Sequence, residues 1–143
     1  MLNQAYKRGL ILGAASFKSN YGLDKKYSLK KRELINIFNF CLKEKILYID
    51  TSNDYRLTNF SNYNKSIKKF RIILKINFNF LEKKTLRQLK NEIFLLVQNF
   101  LSKNKIKKLY CVMLHSENTM ISKNKIKIYE VLKSLKKAKL TNK

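Results

Sequence analysis

The sequence predicts an α/β protein of parallel strands joined by helical crossovers, and three observations carry that prediction. Short apolar runs recur four times along the 143 residues. Each run is continuous rather than alternating, as expected of strands covered on both faces. Between the runs lie stretches of roughly 10–20 residues whose apolar positions repeat at helical spacing. The order βαβαβαβα implies parallel strands with right-handed crossovers. Four such units fit either a small doubly wound sheet or half of an eight-unit barrel. One domain spans residues 1–143, with no internal repeat, low-complexity block or linker.

Residues 9–13 (GLILG) read as the first strand, apolar between two glycines. A polar loop over 14–27 holds Tyr21-Gly22. Ser28 is placed to cap a helix in which Leu34, Ile35, Phe38, Cys41 and Leu42 recur at helical spacing up to about Lys45. Residues 46–50 (ILYID) form the second strand, ending in a carboxylate, and a loop with a short helix follows through Lys69. Residues 71–76 (RIILKI) are the third strand. Thr85 and Gln88 then make a capping-box pattern before an apolar stripe of Leu86, Leu89, Ile93, Leu96, Val97 and Phe100. Residues 109–114 (LYCVML) are the fourth strand, running into His115. Asn124 can cap a last helix whose Tyr129, Leu132 and Leu135 face inward.

Lys and Arg number 32 against 9 acidic residues, a formal net charge of +23. Such a charge points toward nucleic acid or an anionic membrane. A coding bias competes with that reading. The excess is mostly Lys, it accompanies abundant Asn, Ile, Phe and Tyr, and Gly is 3, Pro 0 and Trp 0. The lysines are also spread over every segment, as on a solvated surface, so nucleic acid is the weaker expectation. Two cysteines and one histidine cannot complete a four-ligand zinc site without carboxylates. Cys41 and Cys111 fit buried thiols in a reducing compartment. No stretch approaches about 18 uninterrupted apolar residues, and the N-terminus lacks a signal-peptide core, so a cytoplasmic protein with no membrane partner is expected.

The chemistry gathers at the C-terminal ends of the strands, where α/β sheets place their sites. Asp50 ends strand two, Lys75 lies near the end of strand three, and His115 closes strand four. Tyr55 stands five residues beyond Asp50, on the loop that can fold back over the same rim. Adjacent strands lie about 4.8 Å apart, so Asp50 and Lys75 can touch if they share a face. An ammonium favours a phenolate beside it, a carboxylate keeps that ammonium charged and aimed, and a neutral imidazole can hydrogen-bond a carbonyl oxygen. Together the four residues suit proton donation.

The segments LILGAASF, Tyr21-Gly22, IDTSNDY from Ile49, Leu74-Lys75 and Met113–His115 resemble the aldo-keto reductases over essentially the whole chain. The resemblance implies a (β/α)₈ TIM barrel, of which this chain supplies the N-terminal half. It implies hydride transfer from NADPH or NADH to a small carbonyl substrate. Asp50 matches the aspartate of the family's D-T-A-x-x-Y signature and Tyr55 its general acid. Lys75 and His115 match the lysine and histidine that close strands three and four. Gly13, Ala14, Ala15 and Asp50 would meet the cofactor near its nicotinamide end, and Tyr55 and His115 the substrate.

The chain also departs from the family. Its first strand is followed by Gly13-Ala14-Ala15-Ser16-Phe17-Lys18, Arg56 follows the tyrosine where the family has Gly, and Glu44-Lys45-Ile46 and Ala138-Lys139-Leu140 replace turns that carry Gly. Non-Gly residues are therefore expected at positive φ. The resemblance places most of the cofactor's phosphate-binding segments in the second four units. The sequence thus reads as a truncated or degenerate half barrel, expected to self-associate or to need a complementing C-terminal half, and to bind cofactor weakly alone. A basic nucleic-acid-binding protein and a non-catalytic half-barrel interaction module are the alternatives.

Overall fold

A computed structural model describes residues 9–17, 29–55, 59–78, 84–117 and 123–143. Tyr21-Gly22, Ser28 and Arg56 lie outside the described residues. Four strands form one parallel sheet in sequence order: β1 (Ile11–Gly13), β2 (Tyr48–Ser52), β3 (Arg71–Ile76) and β4 (Cys111–Leu114). Helices α1 (Lys31–Lys43), α2 (Leu86–Asn104) and α3 (Lys125–Lys137) connect or follow them, and two 3₁₀ turns at Phe60–Asn62 and Lys65–Lys69 occupy the loop before β3. A doubly wound sheet would reverse its strand order at a switch point. The unbroken order β1-β2-β3-β4 is that of a barrel segment.

The register assigns each strand residue to a face. Leu12, Ile49, Thr51, Ile72, Leu74, Ile76 and Val112 share the helix-covered face through their pairings. All of these but Leu12 are buried, and they meet Leu34 and Phe38 of α1, Leu89, Ile93 and Val97 of α2, and Ile128, Val131 and Leu135 of α3 in one core. The opposite face carries Ile11, Gly13, Tyr48, Asp50, Ser52, Arg71, Ile73, Lys75 and Met113. The continuous apolar runs led us to expect Leu, Ile and Val on both faces. Instead the open face is mixed, with Ile11 52% and Met113 48% exposed.

Some sequence expectations shift by a turn or a few residues. β1 is shorter than residues 9–13, β2 starts later than Ile46 and runs on to Ser52, and β4 starts at Cys111 rather than Leu109. The N-cap of α1 is Lys30, whose N–H donates to Glu33 Oε2 at 2.6 Å. In α3 the inward positions are Ile128, Val131 and Leu135, while Tyr129 is 62% exposed and Leu132 only half-buried. Tyr129 is one residue past Ile128, so it points about 100° away from the buried stripe. Cys41 is buried as expected, but Cys111 is only half-buried; both are free thiols. Burial raises the pKa of each, with Lys143 partly opposing it at Cys111. α2 matches its sequence signal: Thr85 N–H donates to Gln88 Oε1 (2.9 Å) and Gln88 N–H to Thr85 Oγ1 (3.3 Å).

Residues 140–143 run along the free side of β4. Leu109 N–H donates to Leu140 O, Asn142 N–H to Leu109 O, Lys143 N–H to Tyr110 O and Val112 N–H to Lys143 O, with a parallel bridge between Leu109 and Thr141. One edge of the sheet is therefore partly covered, while β1 forms the other.

The three helices end in the same way. Ile46 N–H donates to Cys41 O (2.8 Å), Ile106 to Leu101 O (3.1 Å) and Leu140 to Leu135 O (3.1 Å), each closing a loop over five residues. The residue before each donor is a lysine at positive φ: Lys45 (58°), Lys105 (54°) and Lys139 (58°). This is the Schellman geometry, in which glycine is the usual residue because a Cβ is strained there. Replacing all three lysines by glycine is expected to raise stability by about 0.5–1 kcal/mol per site, the relief of strain exceeding the added unfolded-state freedom. Chemical denaturation checks this; an unchanged or lowered midpoint would mean that the left-handed lysines carry no strain.

Candidate active site

The site is built where β2, β3 and β4 end. Asp50 pairs with Ile73 and Ser52 with Lys75, so Asp50, Ser52 and Lys75 project from one face. Lys75 reaches back across that register, its Nζ donating to Asp50 Oδ2 at 2.8 Å. Both side chains keep some exposure, 23% for Lys75 and 33% for Asp50. Burial by itself would lower the Lys75 pKa. The hydrogen bond and charge of Asp50, aided by Tyr55, outweigh it and hold the value above that of an ordinary lysine. A raised cation contributes stability fully below its unfolded value and loses it as pH climbs through the folded value. From the lysine's side, the Asp50–Lys75 link therefore persists across the neutral range and is lost in strong alkali.

Beyond β2 the chain turns at once, Tyr55 N–H donating to Ser52 O at 3.2 Å. The turn has no glycine; polar side chains hold it instead. Asn53 N–H donates to Lys75 O (3.1 Å) and Asn77 N–H to Asn53 Oδ1 (3.0 Å), tying the turn to the end of β3. Asn53 Nδ2 and Asn77 Nδ2 donate to the two oxygens of Asp54, each at 2.9 Å. This anchoring brings Tyr55 over the rim, its ring 5.9 Å from Lys75 Nζ and 5.8 Å edge-to-face from His115. His115 N–H continues the ladder by donating to Ile76 O (3.0 Å), so the ring stands directly above β4. Asp50, Tyr55, Lys75 and His115 therefore come together at one rim.

Two further residues join them. Ser52 Oγ lies 2.7 Å from His115 Nδ1, and Asp54 Oδ2 lies 3.6 Å from the same nitrogen. Neither Ser52 nor Asp54 is among the residues that the sequence singles out. The signal available was the polar run Ser52-Asn53-Asp54, dense in residues that bind backbone and imidazole.

The segment after β1 divides. Gly13 pairs with Asp50 on the open face, and a Cβ built there would meet nothing within 4 Å. Ala14 N–H donates to Asp50 O (2.9 Å), but its side chain is buried in the core. Of the expected cofactor-facing residues, Ala14 thus presents no side chain to a ligand, and its N–H is already bonded to Asp50. Asp50 Oδ1 is buried with no hydrogen-bond partner among the described residues, as is Thr51 Oγ1.

A cavity of about 650 Å³ opens elsewhere, near the start of β3 and ahead of β4, lined by Lys68, Arg71, Lys105, Lys107, Lys108 and Tyr110 among others. Arg71 there donates to Tyr48 Oη (2.6 Å) and lies over the Tyr48 and Tyr110 rings at 5.3 and 5.9 Å. The hydrogen bond from Arg71 is the leading cause that lowers the Tyr48 pKa. Volume favours this cavity, but the acid, base and cation set that can move a proton is at the other rim. Among the described residues no helix is long and apolar enough to cross a membrane.

No protein-family model matches the sequence, and no curated protein does. Solved structures do match the fold. Two structures of a protein from Pseudomonas aeruginosa assigned as an aldo-keto reductase align over 92% of this chain at 18% identity, with TM-scores of 0.65 and 0.67. A thermostable aldo-keto reductase in complex with the inhibitor epalrestat aligns over 92% at 14% identity, with a TM-score of 0.64. The chain spans about half the length of these structures, covering 52%, 50% and 46% of them. The fold is therefore that of half an aldo-keto reductase barrel.

Proposed function

We propose that this chain carries the catalytic corner of an aldo-keto reductase, reducing a small carbonyl to an alcohol with NADPH or NADH. The observation that carries the reading is the contact of Lys75 Nζ with Asp50 Oδ2 at 2.8 Å beneath the ring of Tyr55, with His115 alongside. When bound, the nicotinamide cofactor would supply the hydride. Asp50 Oδ1, buried and unpartnered among the described residues, suits a ribose hydroxyl, and the open space over Gly13 suits a planar ring. Tyr55 gives its phenolic proton to the carbonyl oxygen. The Lys75 ammonium, aimed by Asp50, stabilises the negative charge left on the phenolic oxygen. His115 donates a hydrogen bond that orients the carbonyl.

On this reading the remaining cofactor contacts would come from the four further βα units of the barrel. The β1 edge and the mixed open face are the surfaces those units would cover, since an unpaired edge invites strand addition. A chimera joining this chain to the second four units of a solved aldo-keto reductase tests the reading. NADPH consumption on addition of an aldehyde is the expected result. A folded chimera that binds NADPH and reduces none of a panel of aldehydes and ketones would overturn it. The chain alone is expected to sediment as a self-associating species with weak cofactor affinity.

A further inference from the structure

We infer that Ser52 is a positioning residue for His115, holding the neutral imidazole in the tautomer that carries its proton on Nε2. The inference rests on the reductase reading only for the ligand it implies: an Nε2–H is a donor, so the site favours a ligand that presents an acceptor oxygen, such as a carbonyl.

The hydrogen-bond inventory leads to this assignment. The Ser52 side chain is fully buried. Its Oγ already accepts from Asp54 N–H at 3.2 Å, and its other hydrogen-bonding neighbour among the described residues is His115 Nδ1 at 2.7 Å. A hydroxyl has one proton to give. Given to Nδ1, it satisfies the serine and makes that nitrogen an acceptor, which leaves the ring proton on Nε2. The 2.7 Å separation suits a hydroxyl donor and lies at the short end of the range for an N–H donor. With the proton on Nδ1 instead, the buried Ser52 hydroxyl would point its hydrogen at no acceptor identified among the described residues, a costly arrangement. Asp54 does not compete on equal terms. Its Oδ2 is 3.6 Å from Nδ1, and its two oxygens already accept from Asn77 and Asn53.

The sequence contains one histidine, so its imidazole signals in a ¹⁵N-labelled sample are unambiguous. Long-range ¹H–¹⁵N correlation at alkaline pH, on the unliganded chain, reads the tautomer directly and needs no turnover. The parent is expected to favour Nε2–H by about tenfold or more. Ser52→Ala leaves the Asp54 carboxylate as the nearest polar group to Nδ1 and should move the ring toward Nδ1–H, while Asp54→Asn should leave the parent ratio in place. A parent ring with its proton on Nδ1, or a Ser52→Ala ring with the parent ratio, would overturn the inference. The parent spectrum decides even if Ser52→Ala does not fold. An inactive protein whose ring is Nε2–H would count against the reductase reading and not against the role of Ser52.

Discussion

Tyr55→Phe is expected to lower kcat/KM for carbonyl reduction by about 10²–10⁴-fold, the contribution typical of a positioned acid. The substitution removes one oxygen and keeps the ring. The edge-to-face contact with His115 depends on the ring and not on the hydroxyl, although the hydroxyl also serves Lys75 as a hydrogen-bond partner. The turn that carries Tyr55 is held by Ser52, Asn53, Asp54 and Asn77, so its geometry should survive. Folding, followed by thermal melting, should change little. The loss should fall on kcat more than on KM, because the proton moves only in the transition state. Kinetics of parent and variant in the assembly that turns over check this. A variant as active as the parent would assign the acid elsewhere or make the activity a contaminant.

Much of this arrangement was legible in the sequence because local signals and tertiary structure agree. β3 is the run RIILKI, and α2 begins at the capping box of Thr85 and Gln88, as the sequence suggests. Asp50 and Lys75 could be expected to meet because parallel strands put residues of like phase on one face. Other features were hidden for definite reasons. The apolar runs do not say how polar the open face is, since Tyr48, Asp50, Arg71 and Lys75 interrupt each run only once or twice. Tyr129 fits a helical stripe almost as well as Ile128, and only packing against the core chooses between them. Ser52 and Asp54 read as turn residues because their second role depends on His115, more than sixty positions away. Lys45 and Lys139 were marked as strained by the glycines they replace, but Lys105 was not, because nothing local distinguishes a lysine at a helix end from one in a helix.

Phe38→Ala is the substitution expected to cost the fold most, about 3–5 kcal/mol. Phe38 is fully buried, and its ring meets three others: Phe17 at 5.8 Å, Phe60 at 6.0 Å and Phe70 at 5.7 Å, all near edge-to-face. Phe17 also meets Phe60 at 6.4 Å, and Phe60 meets Phe100 at 6.3 Å. Five rings thus join the segment after β1, helix α1, the 3₁₀ loop and α2. Removing the central one loses its own transfer energy, three aromatic contacts and the packing of the space it filled. The described residues of the loop it supports form two 3₁₀ turns and no strand or α-helix. Its main polar anchor is Asn104, buried, whose Oδ1 accepts from Phe60 N–H (2.8 Å) and whose Nδ2 donates to Phe100 O (2.9 Å). Small domains hold only about 5–15 kcal/mol in all, so the variant should approach the unfolding threshold at moderate temperature. Met113→Ala, on the half-exposed open face, serves as the control and should cost far less. Denaturant unfolding of both variants checks the contrast. Equal midpoints would mean that the stability of this chain resides in the sheet and not in the aromatic knot behind it. A Phe38→Ala chain that still folds at low temperature would carry Tyr55 on a loosened loop, since Phe60 lies five residues beyond it.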